Sequence, residues 1–346
     1  MLFEENKALA PFTTFGIGGP ARWFVEARTE DDVAAAAEWA RERGVPLFVL
    51  GGGSNLLVAD AGFEGLVLHF GLRGYFSEES EDGQVLFMVA AGTNWDSFVE
   101  DSVRLDYAGL ECMAGIPGTV GGTPVQNVGA YGQEVSSVIE RVRAVDLRDG
   151  RVVEFSGAEC GFAYRRSRFN TDERGRYLVT RVDYRLQRGG APTLRYADLQ
   201  RVFAGCDRPS LAEVAETVRR IRRGKGMLLV EGDPDCRSAG SFFKNPVVGL
   251  GQVERIGTIA GKEPPRFLAG ADGMVKLPAA WLIEQAGFGK GFAMGAAGIS
   301  SRHTLALINR GGATAANVMA LAERIRLAVA ERFGIRLERE PVLLGF

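Results

Sequence analysis

The stretch Met113-Ala-Gly-Ile-Pro-Gly-Thr-Val-Gly-Gly-Thr-Pro-Val-Gln-Asn-Val-Gly-Ala-Tyr-Gly132 decides how the rest of the chain reads. Eight of its twenty residues are Gly or Pro, and none is charged. An uncharged loop of this length seldom stays ordered without a partner. A flat, largely apolar ring lying on its backbone would supply one. A structural loop between domains is the alternative reading.

Upstream, Gly51-Gly52-Gly53-Ser54-Asn55 follows a short apolar strand, Val45–Leu50. Three glycines let backbone N–H groups come close to a diphosphate, and Ser54 and Asn55 add short donors. A tight turn between two strands explains the same residues. The surrounding segment alternates strands and helices. Ala21–Ala27 reads as a strand, and Thr29-Glu30-Asp31-Asp32 resembles a capping box. The helix it opens runs to about Arg43, Gly44 stops it, and Leu56–Ala59 is a further strand. Gly16-Ile17-Gly18-Gly19-Pro20-Ala21 looks like a degenerate dinucleotide fingerprint. A strand rather than a helix follows it, so a Rossmann reading is rejected.

Downstream, Val85–Ala91, Ile139–Leu147 and Tyr177–Leu186 read as strands and Trp95–Arg104 as a helix, an α+β unit. Ser210-Leu211-Ala212-Glu213 is a capping box, and Leu211, Val214, Val218 and Ile221 form an apolar spine at helical spacing. That helix ends in Arg219, Arg220, Arg222, Arg223 and Lys225, where cations suit the helix dipole. A third unit begins near Met227 and holds two helices, near Pro278–Ala286 and Ala315–Phe333. Within it lies Arg237-Ser-Ala-Gly-Ser-Phe-Phe-Lys-Asn-Pro246. Ser241 has no GxSxG elbow and no histidine base, which argues against a nucleophile. A proton donor and an ordinary turn serine both remain open.

Composition removes other classes. The chain has 346 residues, 46% of them apolar and 24% charged, the profile of a folded protein of two or three domains. The start MLFEENKALA lacks an apolar signal core, and no run approaches the ~20 apolar residues of a membrane span. The expectation is a cytoplasmic protein without a membrane partner. Four cysteines, at 112, 160, 206 and 236, form no CxxC. Two histidines, His69 and His303, exclude a His-rich metal site. Residues 161–226 carry 16 Lys/Arg against 7 Asp/Glu, a local +9 in a chain of net charge −2. Such a segment suits a polyanionic small molecule, and solvated surface charge accounts for it equally. It shows no nucleic-acid motif, so no nucleic-acid partner is expected.

Read together, these motifs resemble the UDP-N-acetylenolpyruvoylglucosamine reductases, in the first of that family's two types. The matching pieces run nearly end to end: Thr14–Ile17, Gly51–Asn55, the 113–132 loop, Tyr164-Arg165, Tyr196–Leu199, Ser241–Pro246, Trp281–Gln285 and Leu337–Glu340. Two places depart from the pattern. The stretch Gly226–Cys236 is longer, and Gly121-Gly122-Thr123 stands where serines are familiar.

The resemblance implies an α+β protein with a vanillyl-alcohol-oxidase-like FAD-binding fold of two α/β subdomains and a C-terminal α+β substrate-binding domain. The divisions are 1–66, 67–226 and 227–340, with the tail 341–346 returning to the first. It implies non-covalent FAD, NADPH as co-substrate, UDP-N-acetylglucosamine enolpyruvate as substrate, and a monomer acting in peptidoglycan precursor synthesis. It places the FAD pyrophosphate on Gly51, Gly52, Gly53, Ser54 and Asn55. The ring falls to Ile116, Pro117, Gly118, Gly121, Gly122, Thr123, Asn127, Gly129 and Ala130. Substrate falls to Tyr131, Arg165, Tyr196, Lys225, Asn245 and Gln285. Arg165 and Glu340, the latter as the neutral acid, stabilise an enolate, and Ser241 gives the proton.

Overall fold

The computed structural model describes residues 1–268 and 273–346. It divides into two compact units. The first comprises Met1–Lys7, Ala21–Gly52 and Glu64–Arg222, and the second Ala8–Pro20, Gly53–Phe63 and Arg223–Phe346.

The first unit contains two sheets. The smaller has the order Phe3–Ala8, Pro20–Ala27, Phe63–Phe70, Leu47–Leu50, with the last two strands parallel. The strand Phe63–Phe70 runs through the division expected at 66. Helix α1 (Glu30–Glu42) opens on the capping box, in which Thr29 Oγ1 accepts from the Asp32 N–H and the Asp32 carboxylate accepts from the Thr29 N–H. Its buried face, Val33, Ala36 and Ala40, joins Val25, Leu66 and Leu68 of the small sheet and Val145 and Leu178 of the large one in a single apolar cluster. The Glu30 carboxylate adds a polar tie, accepting from Arg143 (2.8 Å) and from the Thr180 hydroxyl (2.6 Å).

The larger sheet is antiparallel, in the order Val152–Ser156, Ile139–Asp146, Tyr177–Arg188, Gln84–Ala90, Tyr75–Glu79. The two-residue alternation of its strands sends Phe87, Val89, Val142, Val182 and Tyr184 to one core. That core also takes Trp95, Phe98 and Val99 of α2 (Trp95–Arg104), Leu199 of α3 (Ala197–Val202), and Val214 and Val218 of α4 (Leu211–Gly224). The 113–132 loop contributes Met113, Ala114 and Val120 to the same cluster. Met113, Ala114 and Val120 are therefore anchors, while of the loop's glycines Gly122 and Gly132 are exposed and Gly115 and Gly121 are buried.

The second unit packs α5 (Leu250–Ala260), α6 (Ala279–Gln285) and α7 (Ala315–Phe333) around Phe242, Phe243, Leu282, Ile283, Leu321 and Phe333. Two helices were expected here, at the places of α6 and α7. The third, α5, carries Gly251 and Gly257, each costing ~1 kcal/mol of helix propensity relative to Ala; burial of Val253 and Ile256 sustains it. Gly16–Pro20 is a close-packed turn: a Cβ on Gly18 would lie 2.7 Å from Val58 Cβ, and one on Gly19 2.3 Å from Asp60 O. Val342–Leu344 pairs in parallel with Leu56–Val58, which sets the chain end beside the segment that follows the glycine motif. No helix among the described residues is long and apolar enough to cross a membrane.

Helix α7 starts under double control. Thr314 and Asn317 form a capping box, and the Asp60 carboxylate accepts from the N–H groups of Ala315 (2.7 Å) and Ala316 (3.0 Å). Replacing Asp60 by Ala removes both a cap and a charge matched to the helix dipole. We expect it to lower unfolding stability in urea by about 1–2 kcal/mol. An unchanged midpoint would show that the capping box alone holds this end.

Candidate active site

The 113–132 loop is closed at its base by one buried carboxylate. Glu111 is fully buried, and its Oε1 accepts from Gln133 Nε2 (2.6 Å) and from the Thr193 N–H (2.8 Å), while its Oε2 accepts from the Gly109 N–H (2.9 Å). Gln133 completes the closure by accepting from the Cys112 N–H (2.8 Å). The loop is thus stapled from the residue before its start to the residue after its end. A second brace acts just inside. Gly115 donates its N–H to Asp96 (2.6 Å) and accepts at its carbonyl from Arg222 Nε (3.0 Å), and Arg219 grips Asp96 with two bonds of 2.7 and 2.8 Å. Burial disfavours the Arg222 cation, opposed by Tyr131 and Asp96 and reinforced by Arg219.

The two glycine motifs meet backbone to backbone. A Cβ on Gly52 would stand 2.6 Å from Gly118 Cα, and one on Gly51 2.7 Å from Thr119 Oγ1. A Cβ on Gly121 would strike Ala91 at 2.7 Å, and one on Gly129 would strike Gln133 O at 2.6 Å. Gly122 differs, because it is exposed and a Cβ there meets nothing within 4 Å. Ile116 packs partly buried against the core, and Pro117, Gly118 and Ala130 are half-exposed. Two side chains expected at the flavin are committed elsewhere. The Thr123 hydroxyl donates to Val120 O (2.7 Å) and lies 2.6 Å from the Tyr184 hydroxyl, in the core. The Asn127 carboxamide donates to Glu134 (3.0 Å) and Ala163 O (3.2 Å) and accepts from the Ser136 N–H (3.2 Å).

Arg165, Asn127 and Tyr131 share a conformation that side chains rarely take, with φ of +54°, +45° and +48°. Each costs of the order of 1–3 kcal/mol, and such residues concentrate at functional sites. The Arg165 guanidinium lies on the loop, donating to Asn127 O (3.1 Å) and Gly129 O (2.7 Å). Tyr131 meets Tyr196 edge to face at 5.1 Å, so two residues expected at the substrate are adjacent.

The second unit gathers the others in its own frame. Gly53 has φ +59°, and a Cβ on it would stand 1.8 Å from Phe12 O. Asn55 donates its side-chain amide to Glu340 O (3.4 Å) and accepts at its carbonyl from the Val342 N–H (2.9 Å); Ser54 is half-exposed. The segment after Ser241 bridges the segment before the chain end: the Glu340 N–H donates to Phe242 O (3.0 Å) and the Lys244 N–H to Glu338 O (2.9 Å). Ser241 and Glu340 are therefore neighbours across a short antiparallel bridge. Asn245 Oδ1 accepts from the Ala279 N–H (2.8 Å) at the start of α6, and Gln285 ends that helix. Lys225 follows α4 directly.

Part of the basic excess of residues 161–226 is structural. Arg176, Arg181, Arg185, Arg188 and Arg219 pair with Asp146, Glu154, Glu140, Glu79 and Asp96, all outside the segment. No group of three or more His, Cys, Asp or Glu able to hold a metal occurs among the described residues.

The profile of the UDP-N-acetylenolpyruvoylglucosamine reductase C-terminal domain matches residues 233–344, and that of an FAD binding domain matches residues 21–156. The reductase of Thermobifida fusca is 47% identical over 353 residues, covering 99% of this chain and 98% of the relative. That of Streptomyces coelicolor is 48% identical over 352 residues, covering 99% and 90%.

The chain belongs to the UDP-N-acetylenolpyruvoylglucosamine reductase family.

It is accordingly an FAD-dependent oxidoreductase with the expected α+β fold. The crystal structure of the Thermus caldophilus reductase superposes with a TM-score of 0.69 at 28% identity, covering 99% of this chain and 100% of that one. The residues present fit FAD. The exposed face of the loop at Gly122 is backbone without charge, as a flat ring requires, and the Gly52–Gly118 approach leaves backbone as its lining.

Sequence reasoning missed Glu111, Gln133 and Asp96, since a lone acid beside a glycine loop carries no periodic signal. Glu111→Gln puts an NH2 among donors and leaves at least one buried partner unsatisfied. We expect a loss of about 1–3 kcal/mol in urea unfolding and weaker retention of FAD through gel filtration. Wild-type stability together with full flavin content would remove Glu111 from this role.

Proposed function

We propose that this enzyme reduces the enolpyruvyl ether of UDP-N-acetylglucosamine to the lactyl ether of UDP-N-acetylmuramate, using NADPH and non-covalent FAD. The reaction is a cytoplasmic step toward the peptidoglycan precursor, carried out by a monomer. When bound, FAD supplies the redox chemistry, accepting a hydride from NADPH and delivering one to the terminal vinyl carbon. The chain's own residues handle the charge and the proton.

Hydride addition at the vinyl terminus drives electron density onto the substrate carboxylate as an enolate. Preorganised donors aimed at developing charge are usually the largest single contribution to catalysis. Arg165 suits this role because it is held before substrate arrives: its backbone sits at φ +54° and its guanidinium rests on two loop carbonyls. This pre-set arginine is the observation that carries the reading. Glu340, as the neutral acid, donates to the same enolate. Ser241 gives its proton to the carbon beside the carboxylate, which completes addition of hydride and proton across the double bond. Tyr131 and Tyr196 form one wall for the substrate. Asn245 offers its NH2, since its oxygen already caps α6. Gln285 adds its amide, and Lys225 binds anionic oxygens of the diphosphate or of NADPH. Ser54 and Asn55, with the glycines beside them, hold the FAD pyrophosphate.

The two half-reactions separate these roles. Ser241→Ala should leave stopped-flow bleaching of the flavin by NADPH near normal. It should slow reoxidation by the enolpyruvyl substrate at least ~10²-fold, the lower end for general acid catalysis. A plain turn serine predicts modest, parallel changes in both phases with a loss of thermal stability. Near wild-type reoxidation would withdraw Ser241 as the acid.

A further inference from the structure

The stretch after Lys225 is organised around one guanidinium. Arg302 Nε donates to Asp235 Oδ2 (2.9 Å), its Nη2 donates to Asp233, and its Nη1 donates to the backbone carbonyl of Arg223 (3.1 Å). Asp235, itself buried, also accepts from the Ser301 N–H (3.0 Å) and hydroxyl (2.6 Å). Its carboxyl stays below the usual range although burial opposes this, because the Ser301 and Arg302 bonds outweigh burial. A planar fork reaching three acceptors at once has no equivalent in a lysine ammonium.

These bonds bracket Lys225. Before it, the Arg223 carbonyl lies in the last turn of α4, where carbonyls lack helical partners. It accepts from both Arg302 and the Gly226 N–H (3.0 Å). After it, Gly226 turns with φ +64°, so close to the ion pair that a Cβ would stand 3.0 Å from Asp235 Cβ and 3.2 Å from Arg302 Nε. The backbone on both sides of Lys225 is therefore set by the same cluster. His303, the residue after Arg302, feels the charge of the lysine itself. Burial first, then the charges of Lys225 and Lys290, push its pKa down to about 4.

We propose that Arg302, tied to Asp233 and Asp235, is a positioning residue for ligand binding: it fixes the turn that presents Lys225 to an anionic oxygen of the bound nucleotide. The proposal rests on the reading of Lys225 as an anion-binding residue. It adds a specific dependence, because loss of Arg302 should matter only while Lys225 is there to be positioned.

A double-mutant cycle on the FAD-loaded enzyme reads this directly. Kd for the enolpyruvyl UDP-sugar and for NADPH is followed by the change in flavin absorbance in wild type, Arg302→Gln, Lys225→Ala and the double variant. Arg302→Gln should raise Kd for at least one of the two by about tenfold when Lys225 is present, and by less than about twofold in the Lys225→Ala background. Additive losses, or a wild-type Kd in Arg302→Gln beside a raised Kd in Lys225→Ala, would overturn the positioning role alone. Unchanged Kd for both ligands in Lys225→Ala would instead overturn the reading of Lys225, and the proposal with it. If Arg302→Gln does not fold, Asp233→Asn loosens the same fork more gently and must show the same non-additivity.

Discussion

A carboxylate without solvent, Glu111, holds the structure's most demanding segment in place. Burying a charge is costly unless hydrogen bonds replace the lost water, and here three donors do so. Those donors come from Gly109, Gln133 and Thr193, so one side chain satisfies itself only if the ends of the loop come together. The loop between them can then be rich in glycine without being loose. Asp96 and Arg222 repeat the device at Gly115, taking one N–H and one carbonyl that the loop could not pair internally. The cost of so many flexible residues is thereby offset by fixed polar bonds at the base and by Met113, Ala114 and Val120 in the core.

The same economy governs charge. A local excess of nine positive charges in the sequence suggests an open anion site. In the fold, acids from neighbouring strands and from α2 answer much of it, and Arg219 and Arg222 brace the loop. The two groups proposed to meet ligand, Arg165 and Lys225, are individually positioned. Arg165 is set by an unusual backbone angle, and Lys225 lies beside the Arg302 cluster. Positioning, more than the amount of charge, distinguishes these two from the arginines around them.

The sequence made much of this legible. Helices α2 and α7 fall at the expected residues, and the capping boxes at Thr29 and Ser210 form as read. The glycine content singled out the two segments, 51–55 and 113–132, and in the fold Gly52 closely approaches Gly118. Helix α5 was hidden because its two glycines break the helical signature. The roles of Thr123 and Asn127 were also obscured. Their residue types suit hydrogen bonds to a ring, but only the fold shows their polar atoms turned to Tyr184, Glu134 and Ala163. Asp96, Glu111 and Arg302 act through Arg219, through Gln133 and Thr193, and through Asp235, partners 22 to 123 residues away along the chain, a distance at which no local pattern speaks.

On the proposed reading, the flavin ring lies on the exposed backbone face of the stapled loop. Gly122 isolates it, since its Cβ position is open and its φ is not left-handed, so the fold itself tolerates a side chain there. Equilibrium titration of apoprotein with FAD, in wild type and in Gly122→Leu, tests the claim most directly. The account predicts an apoprotein of unchanged thermal stability whose affinity for FAD falls by at least about tenfold, the effect of a branched side chain filling a contact surface. Undiminished FAD affinity in that variant would contradict it.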